Sequence, residues 1–225
     1  MNRNVEIFAG AYTSGKSEIA INRALMLSKL EPISLVDLDT VEPAYTLRPL
    51  KKELDKIGLN VVTQEDYFGL GEAGNIITPK QLNCLAIEGT LVIDVGYGVG
   101  GLDILEILTG INEEENLNIN IVINTSKPET STVENILEYM EWSKGDKPQA
   151  WKKFTGIISN THFGDFTEKD DIIRGYEITK EAAEKLNIPI KAIGVPDNLF
   201  EQFASDCYDG VPLWKLTRYM PRAFW

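Results

Sequence analysis

The stretch Gly10-Ala11-Tyr12-Thr13-Ser14-Gly15-Lys16-Ser17 decides the fold of this chain, because it matches the phosphate-binding pattern GxxxxGK[ST] at every defined position. It follows the apolar run Val5–Ala9 and precedes Ser17–Leu30, in which apolar residues recur on one helical face. Between a strand and a helix, such a loop turns its backbone N–H groups inward at the helix N-terminus. The sequence therefore predicts a P-loop, with Lys16 on the β- and γ-phosphates and the Ser17 hydroxyl on Mg²⁺.

The rest of the chain alternates between strand-like and helix-like segments. Further buried strands are predicted at Ile33–Leu38, Leu59–Thr63, Thr90–Val95, Asn120–Ile123, Phe154–Ser159 and Ile188–Val195. Helices are predicted within Pro43–Ile57 and at Pro79–Glu88, Leu102–Leu108, Ser131–Trp142, Glu168–Leu186 and Asn198–Ser205. This order indicates βαβ units and a three-layer α/β fold, with a mainly parallel sheet flanked by helices on both faces. Neither a repeat nor a linker interrupts it, so residues 1–225 are expected to form a single domain.

Composition and charge exclude several classes of protein. The chain is 43% apolar and 25% charged, as in an ordinary globular domain. Its net charge of −12 and isoelectric point near 4.6 argue against binding to nucleic acid. Two cysteines and one histidine are too few for a zinc site within one chain. The sequence shows neither a membrane-spanning apolar stretch nor a signal-peptide pattern, so we expect a cytoplasmic protein.

Carboxylates end two of the predicted strands. Val36-Asp37-Leu38-Asp39 closes the second strand, and Asp94 lies near the end of Thr90–Val95. A Mg²⁺–nucleotide site needs carboxylates to hold the metal's water shell and to orient the attacking nucleophile. We expect the two acids of the second strand to point to opposite sides. Asp39, the nearer to the loop, is then predicted to face the phosphates, with Asp37 as the alternate.

The order of these motifs resembles that of the MinD/ParA/CobQ-type ATPases, which belong to the SIMIBI class of P-loop NTPases. A P-loop, a hydrophobic-hydrophobic-Asp-x-Asp strand end and the Walker B-like Asp94-Val95-Gly96 follow one another as in that group. Val36–Arg48 is similar to the group's switch-I segment. The resemblance implies a Mg²⁺-dependent ATPase that binds ATP and ADP and changes conformation between nucleotide states. It also implies a homodimer and allows for an unidentified protein partner that stimulates turnover.

The resemblance assigns roles to individual residues. Lys16 and Asp39 are implied to be catalytic, and the metal is implied to be held by Ser17, Asp39 and Asp94. The nucleotide is implied to contact the whole stretch from Gly10 to Ser17, together with Asn160, Pro196 and Asp197 at two later strand ends. No Asn-Lys-x-Asp or Thr-Lys-x-Asp string for guanine occurs in the chain, which favours ATP over GTP.

One position departs from the resemblance, and alternatives follow from it. Many members of the group carry a lysine after the first loop glycine, which reaches the partner subunit's phosphates, whereas this chain has Ala11. A small-molecule kinase or ATP-dependent ligase therefore stays open, with Tyr45, Arg48 and Leu70–Gln81 available for a second pocket. A nucleotide-gated binding or delivery module is the third alternative. The aromatic and basic tail Leu213–Trp225 is expected to pack on the domain or on a second subunit, rather than to dock on a membrane.

Overall fold

The computed structural model describes residues 4–40, 47–64, 77–97, 102–145 and 147–220. Within these ranges nine strands form one sheet in the order β3-β2-β4-β1-β5-β6-β7-β9-β8, in which all neighbours are parallel except the antiparallel pair β8 and β9. The strands are β1 Val5–Gly10, β2 Ile33–Leu38, β3 Asn60–Val62, β4 Thr90–Val95, β5 Leu117–Ile123, β6 Gly156–Ser159, β7 Ile190–Pro196, β8 Cys207–Tyr208 and β9 Val211–Leu216.

Helices connect most of these strands. They are α1 Lys16–Leu27, α2 Lys51–Lys56, α3 Pro79–Leu82, α4 Val133–Ser143, α5 Lys169–Leu186 and α6 Asp197–Phe200. Short 3-10 segments lie at Arg48–Leu50, Cys84–Ala86, Asp103–Ile107, Pro128–Thr130 and Gly164–Phe166. Capping residues define two of the helix ends. The Thr132 hydroxyl accepts the Asn135 N–H at the start of α4, and Asn187 ends α5 in the left-handed conformation.

Two apolar clusters sandwich the sheet. One cluster packs α1 and α2 on one face, through side chains such as Ile19 and Leu54. The other packs α4 and α5 on the opposite face, through side chains such as Ile136 and Ala182. Successive side chains of a strand point to opposite faces, so the central strands are apolar throughout. The predicted three-layer α/β fold with a mainly parallel sheet is thus confirmed.

The C-terminal region differs from the sequence-based prediction. Residues 213–216 were assigned to a tail, but they belong to β9, which pairs with β7. Trp214 is 9% exposed, and its ring packs edge-on against Phe8 with centroids 6.4 Å apart. The tail residues of this strand therefore pack on the domain itself. No helix in the described part of the chain is long and apolar enough to cross a membrane.

Three predicted helices are shorter than expected. Pro79–Glu88 forms only α3 followed by a 3-10 turn, Leu102–Leu108 is a 3-10 segment, and Asn198–Ser205 retains only the short α6. In the first of these, the Asn83 side chain donates to the Pro79 carbonyl at 2.8 Å. The Asn83 backbone N–H donates to the same carbonyl at 3.1 Å, and α3 ends with Asn83 as its C-cap.

Candidate functional site

The P-loop lies at the carboxyl end of the central strand β1 and leads into α1. A Cβ on Gly10 would come within 2.7 Å of the Val122 carbonyl, so only glycine allows this approach to β5. Gly15 has a φ of 83° and precedes the first residue of α1, and its added Cβ would lie 2.4 Å from the Asn160 amide nitrogen. Both glycines of the motif are therefore required by the fold itself.

Lys16 meets the predicted carboxylates at the mouth of the loop. Its Nζ lies 3.2 Å from Asp39 Oδ2, and both side chains are buried. Burial alone would lower the pKa of Lys16, but the charges of Asp39 and Asp94 outweigh burial and raise it. The structure thus brings Lys16, Asp39 and Asp94 together, and the carboxylate that pairs with the lysine is Asp39.

Asp37 is held in place by three hydrogen bonds of its own. Its carboxylate accepts the Asp39 N–H and the Thr63 hydroxyl, each at 3.0 Å, and its carbonyl accepts the Gln81 amide at 2.6 Å. Burial, followed by the charge of Asp39, raises the pKa of Asp37 to about 6. The expectation that the two acids point to opposite sides is wrong, because residues two apart on a strand share a face. Asp37 too acts on Lys16 through its charge.

Asp94 is the most isolated charge of the site. It is fully buried on β4, and its carboxylate oxygens have no hydrogen-bond partner among the described residues. Burial raises its pKa to about 8, while the charge of Lys16 favours the ionised form. Near pH 7 the Asp94 carboxyl is therefore largely protonated, and a further cation beside it would favour the ionised form. The donor set at this position fits a divalent cation beside Ser17.

Two tyrosines cover the lysine from the solvent side. The ring centroids of Tyr12 and Tyr97 lie 5.0 Å apart, and Lys16 Nζ lies 5.9 Å from the centre of the Tyr97 ring. Tyr12 is 45% exposed, so one face of this pair borders solvent. The pair adds a cation–π contact to the charges that hold the lysine.

Two asparagines support the loop from neighbouring strand ends. The Asn160 amide, after β6, donates to the Ser14 carbonyl at 2.8 Å. Asn124, fully buried after β5, directs its amide to the Thr13 carbonyl at 3.5 Å. The sequence predicted a base contact for Asn160 and no role for Asn124. The place of Asn124 at the end of a buried strand beside β1 is the signal that could have identified it as a residue of the site.

A cavity of about 300 Å³ opens beside the loop. Its lining includes Gly15, Asn160, His162, Pro196, Asp197 and Arg218. The structure therefore brings the three residues predicted to contact the base together with the phosphate loop. It also places three charged side chains there that the sequence did not assign to the cavity, namely Glu18, Asp165 and Arg218.

The C-terminal segment forms one wall of this cavity and is clasped by α1. Asn22 exchanges two hydrogen bonds of 2.9 Å with the backbone N–H and carbonyl of Thr217. The Glu18 carboxylate accepts the N–H groups of Tyr219 at 3.0 Å and Met220 at 2.6 Å. Burial raises the pKa of Glu18, although these two hydrogen bonds act in the opposite direction. The segment after β9 is thus tied to the helix that carries the P-loop.

His162 lies between the cavity and the loop. Burial, reinforced by the charge of Lys127, lowers the pKa of the imidazole to about 4, so the ring is neutral near pH 7. Its Nε2 would be 3.2 Å from a Cβ at Gly15, and its Nδ1 accepts the Gly164 N–H at 3.4 Å. The side chain therefore packs directly against the turn into α1.

Several sequence predictions fall outside the described residues. Residues 41–46 hold six residues of the switch-like segment, including Tyr45, and residues 98–101 hold the glycine-rich run after β4. Residues 70–76 of the alternative second pocket and residues 221–225 of the tail also lie outside. Arg48, the third residue of that alternative, lies at the start of the 3-10 segment before α2.

The sequence matches no protein-family model and no curated protein. Its fold, however, is similar to that of solved FtsY structures. FtsY from Mycoplasma mycoides is 19% identical with a TM-score of 0.55, and the match covers 86% of this chain and 60% of that one. The cell division protein FtsY from Thermotoga maritima is 17% identical with a TM-score of 0.56, over 86% of this chain and 62% of that one.

A further likeness is to the signal recognition particle receptor FtsY from Elizabethkingia anophelis in complex with GDP. It is 16% identical with a TM-score of 0.53, over 87% of this chain and 57% of that one. This chain thus spans about 60% of the length of the FtsY chains that it matches. At this identity the likeness shows the fold alone, which is the α/β fold of these FtsY structures.

Proposed function

We propose that this protein is a Mg²⁺-dependent ATPase that changes conformation between its ATP and ADP states. The observation that carries the proposal is the group of buried charges at the P-loop mouth, where Lys16 lies among the carboxylates of Asp37, Asp39 and Asp94. The raised pKa of Asp94, about 8, keeps that group largely protonated near pH 7 until a cation approaches. Lys16 pairs with Asp39, and Asp37, with a pKa of about 6, adds a further buried negative charge. A bound cation would offset that charge, and a phosphate chain would bring the cation with it.

The P-loop supplies the phosphate site. Its backbone N–H groups lie at the N-terminus of the 12-residue helix α1, where the helix dipole favours an anion. Lys16 is held at the mouth by Asp39, so phosphate oxygens would compete with that carboxylate for the ammonium. When its ammonium group moves from Asp39 to the phosphates, Lys16 would stabilise charge on the phosphoryl group. The Asp39 carboxylate would then be available to orient a water molecule.

The residues around Ser17 fit a magnesium ion. Ser17, Asp39 and Asp94 are the oxygen donors that would hold it, directly or through water. No group of three or more acidic, histidine or cysteine side chains forms a ready-made metal site in the described ranges. The two carboxylates of Asp39 and Asp94 suit Mg²⁺, because this ion is bound by one or two carboxylates plus substrate phosphates. When bound, the ion would neutralise charge on the phosphates.

The cavity beside Gly15 supports recognition of a base. It adjoins the P-loop and holds Asn160, Pro196 and Asp197, as a nucleotide site would require. The GDP complex of the FtsY from Elizabethkingia anophelis is an example of this fold with a nucleotide bound. We infer ATP as the substrate because the chain lacks the guanine-binding strings. The MinD/ParA resemblance also supports a homodimer, but Ala11 is 2% exposed within an apolar cluster, so that position contributes no charge to a second subunit.

Phosphate release from ATP tests the proposal. The wild-type protein should release phosphate only with Mg²⁺, and Lys16→Ala should lower the rate at least about a hundredfold. Lys185→Ala is the matched control, because Lys185 forms an exposed i,i+4 pair with Glu181 on α5. The control should keep the wild-type rate. An unchanged rate in Lys16→Ala, or equal rates with and without Mg²⁺, would contradict the proposal.

A further inference from the structure

The backbone on both sides of Arg218 is anchored to α1. Thr217 is held by the two reciprocal hydrogen bonds from Asn22, and the N–H groups of Tyr219 and Met220 are held by Glu18. Both anchors are separated from their partners by about 200 residues of chain. The backbone of Arg218 is therefore fixed at the cavity wall, and its side chain is 32% exposed.

Asp165 faces Arg218 from another wall of the cavity. It lies in the 3-10 turn Gly164–Phe166, which Thr167 braces by accepting the Phe163 N–H at 2.9 Å and donating to the Gly164 carbonyl at 2.6 Å. Arg218 Nη1 lies 2.5 Å from Asp165 Oδ1. Both residues line the cavity, so this ion pair joins two of its walls.

Guanine and adenine carry different hydrogen-bonding groups, so the Arg218–Asp165 ion pair can distinguish between them. Guanine presents its N1–H and N2 amino group side by side, and a carboxylate is the group that accepts both. Adenine has an acceptor at N1 and gains nothing equivalent from a carboxylate. Of the carboxylates that line the cavity, Glu18 already accepts two backbone N–H groups and Asp165 is paired with Arg218. Asp197 is the third.

We propose that Arg218 is a specificity-determining residue that favours ATP over GTP by occupying the Asp165 carboxylate, an inference that rests on the proposed nucleotide site. Guanine would have to displace the guanidinium to reach that carboxylate. Adenine makes no such demand. Because the side chains of Arg218 and Asp165 are 32% and 82% exposed, water screens the ion pair, and its effect on selectivity is limited to several-fold.

Competition of unlabelled ATP and GTP against a fluorescent ADP analogue, in the full chain with Mg²⁺, measures this selectivity. Arg218→Gln should raise the ratio of GTP affinity to ATP affinity by about three- to tenfold, because it frees Asp165. Combining it with Asp165→Asn should restore the wild-type ratio. Combining it instead with Asp197→Asn should leave the gain intact, which makes that variant the matched control.

Three results would overturn the inference while leaving the nucleotide site in place. They are an unchanged ratio in Arg218→Gln, a gain that survives in the double variant with Asp165→Asn, and a gain lost only with Asp197→Asn. Wild-type protein that binds neither nucleotide would overturn the proposed function and this inference together. Circular dichroism of each variant verifies that the fold is retained.

Discussion

Replacing Asn160 by alanine separates loop support from base recognition. The amide of this residue donates to the Ser14 carbonyl at 2.8 Å and lies in a space that glycines keep open on two sides. Added Cβ atoms would lie 2.4 Å from its amide nitrogen at Gly15 and 2.2 Å from its amide oxygen at Gly194. Asn160→Ala therefore leaves a buried carbonyl without its donor and a void between two glycines.

The expected loss of stability follows from these two terms. An unsatisfied buried carbonyl costs about 1–3 kcal/mol, and the void adds to that cost, so the free energy of unfolding should fall by about 2–4 kcal/mol. In urea this corresponds to a midpoint lower by about 1 M. Asn135→Ala, at the exposed start of α4, is the control and should cost less than about 1 kcal/mol.

Nucleotide binding then distinguishes the two roles of Asn160. If the side chain supports the loop, ATP and GTP affinities should fall together, by about tenfold or more, because both share the phosphate site. Equilibrium titration with each nucleotide measures this. An unchanged unfolding midpoint together with a loss confined to ATP would refute the loop-support reasoning and favour the base contact predicted from the sequence.

Two further predictions concern the cavity walls. Asn22→Ala removes both bonds to Thr217, so trypsin cleavage after Arg218 should accelerate at least about tenfold, and an unchanged rate would show that the clasp is dispensable. His162 has its pKa lowered by burial from 6.5 to about 4, so only the unfolded chain takes up the proton between these values and stability falls as the pH drops. By pH 5 the wild type should lose about 2 kcal/mol more free energy of unfolding than His162→Gln does, as measured by urea unfolding. Equal pH profiles of stability in the two proteins would contradict this prediction.

The central part of the molecule could be predicted because its signals are local. β2 and β4 have the predicted bounds, Ile33–Leu38 and Thr90–Val95, since strands buried on both faces are continuous apolar runs. The P-loop is a contiguous motif, and its glycines are required by contacts within the loop and its immediate neighbours. Asp39 and Asp94 follow from the rule that ligands gather at the carboxyl ends of parallel strands.

The cavity's far wall could not be predicted, because its contacts join distant parts of the chain. The bonds of Asn22 and Glu18 to the C-terminal segment span about 200 residues, and nothing in either local sequence indicates them. β9 carries Pro212 and buries only Leu213 and Trp214, so it lacks the longer buried apolar run that marked the central strands. The sequence lacks the acid of the guanine string, and it did not indicate that Asp165 reaches the cavity from the 3-10 turn Gly164–Phe166.

A crystal structure of the protein with Mg²⁺ and a non-hydrolysable ATP analogue would show whether the P-loop binds a triphosphate. We expect the triphosphate in the loop Gly10–Ser17, and the metal about 2.1 Å from the Ser17 hydroxyl oxygen, with Asp94 in its coordination shell. Lys16 should leave Asp39, where its Nζ now lies 3.2 Å away, and contact the terminal phosphates. A triphosphate bound elsewhere, or a Lys16 that stays on Asp39 while the nucleotide is bound, would contradict the account.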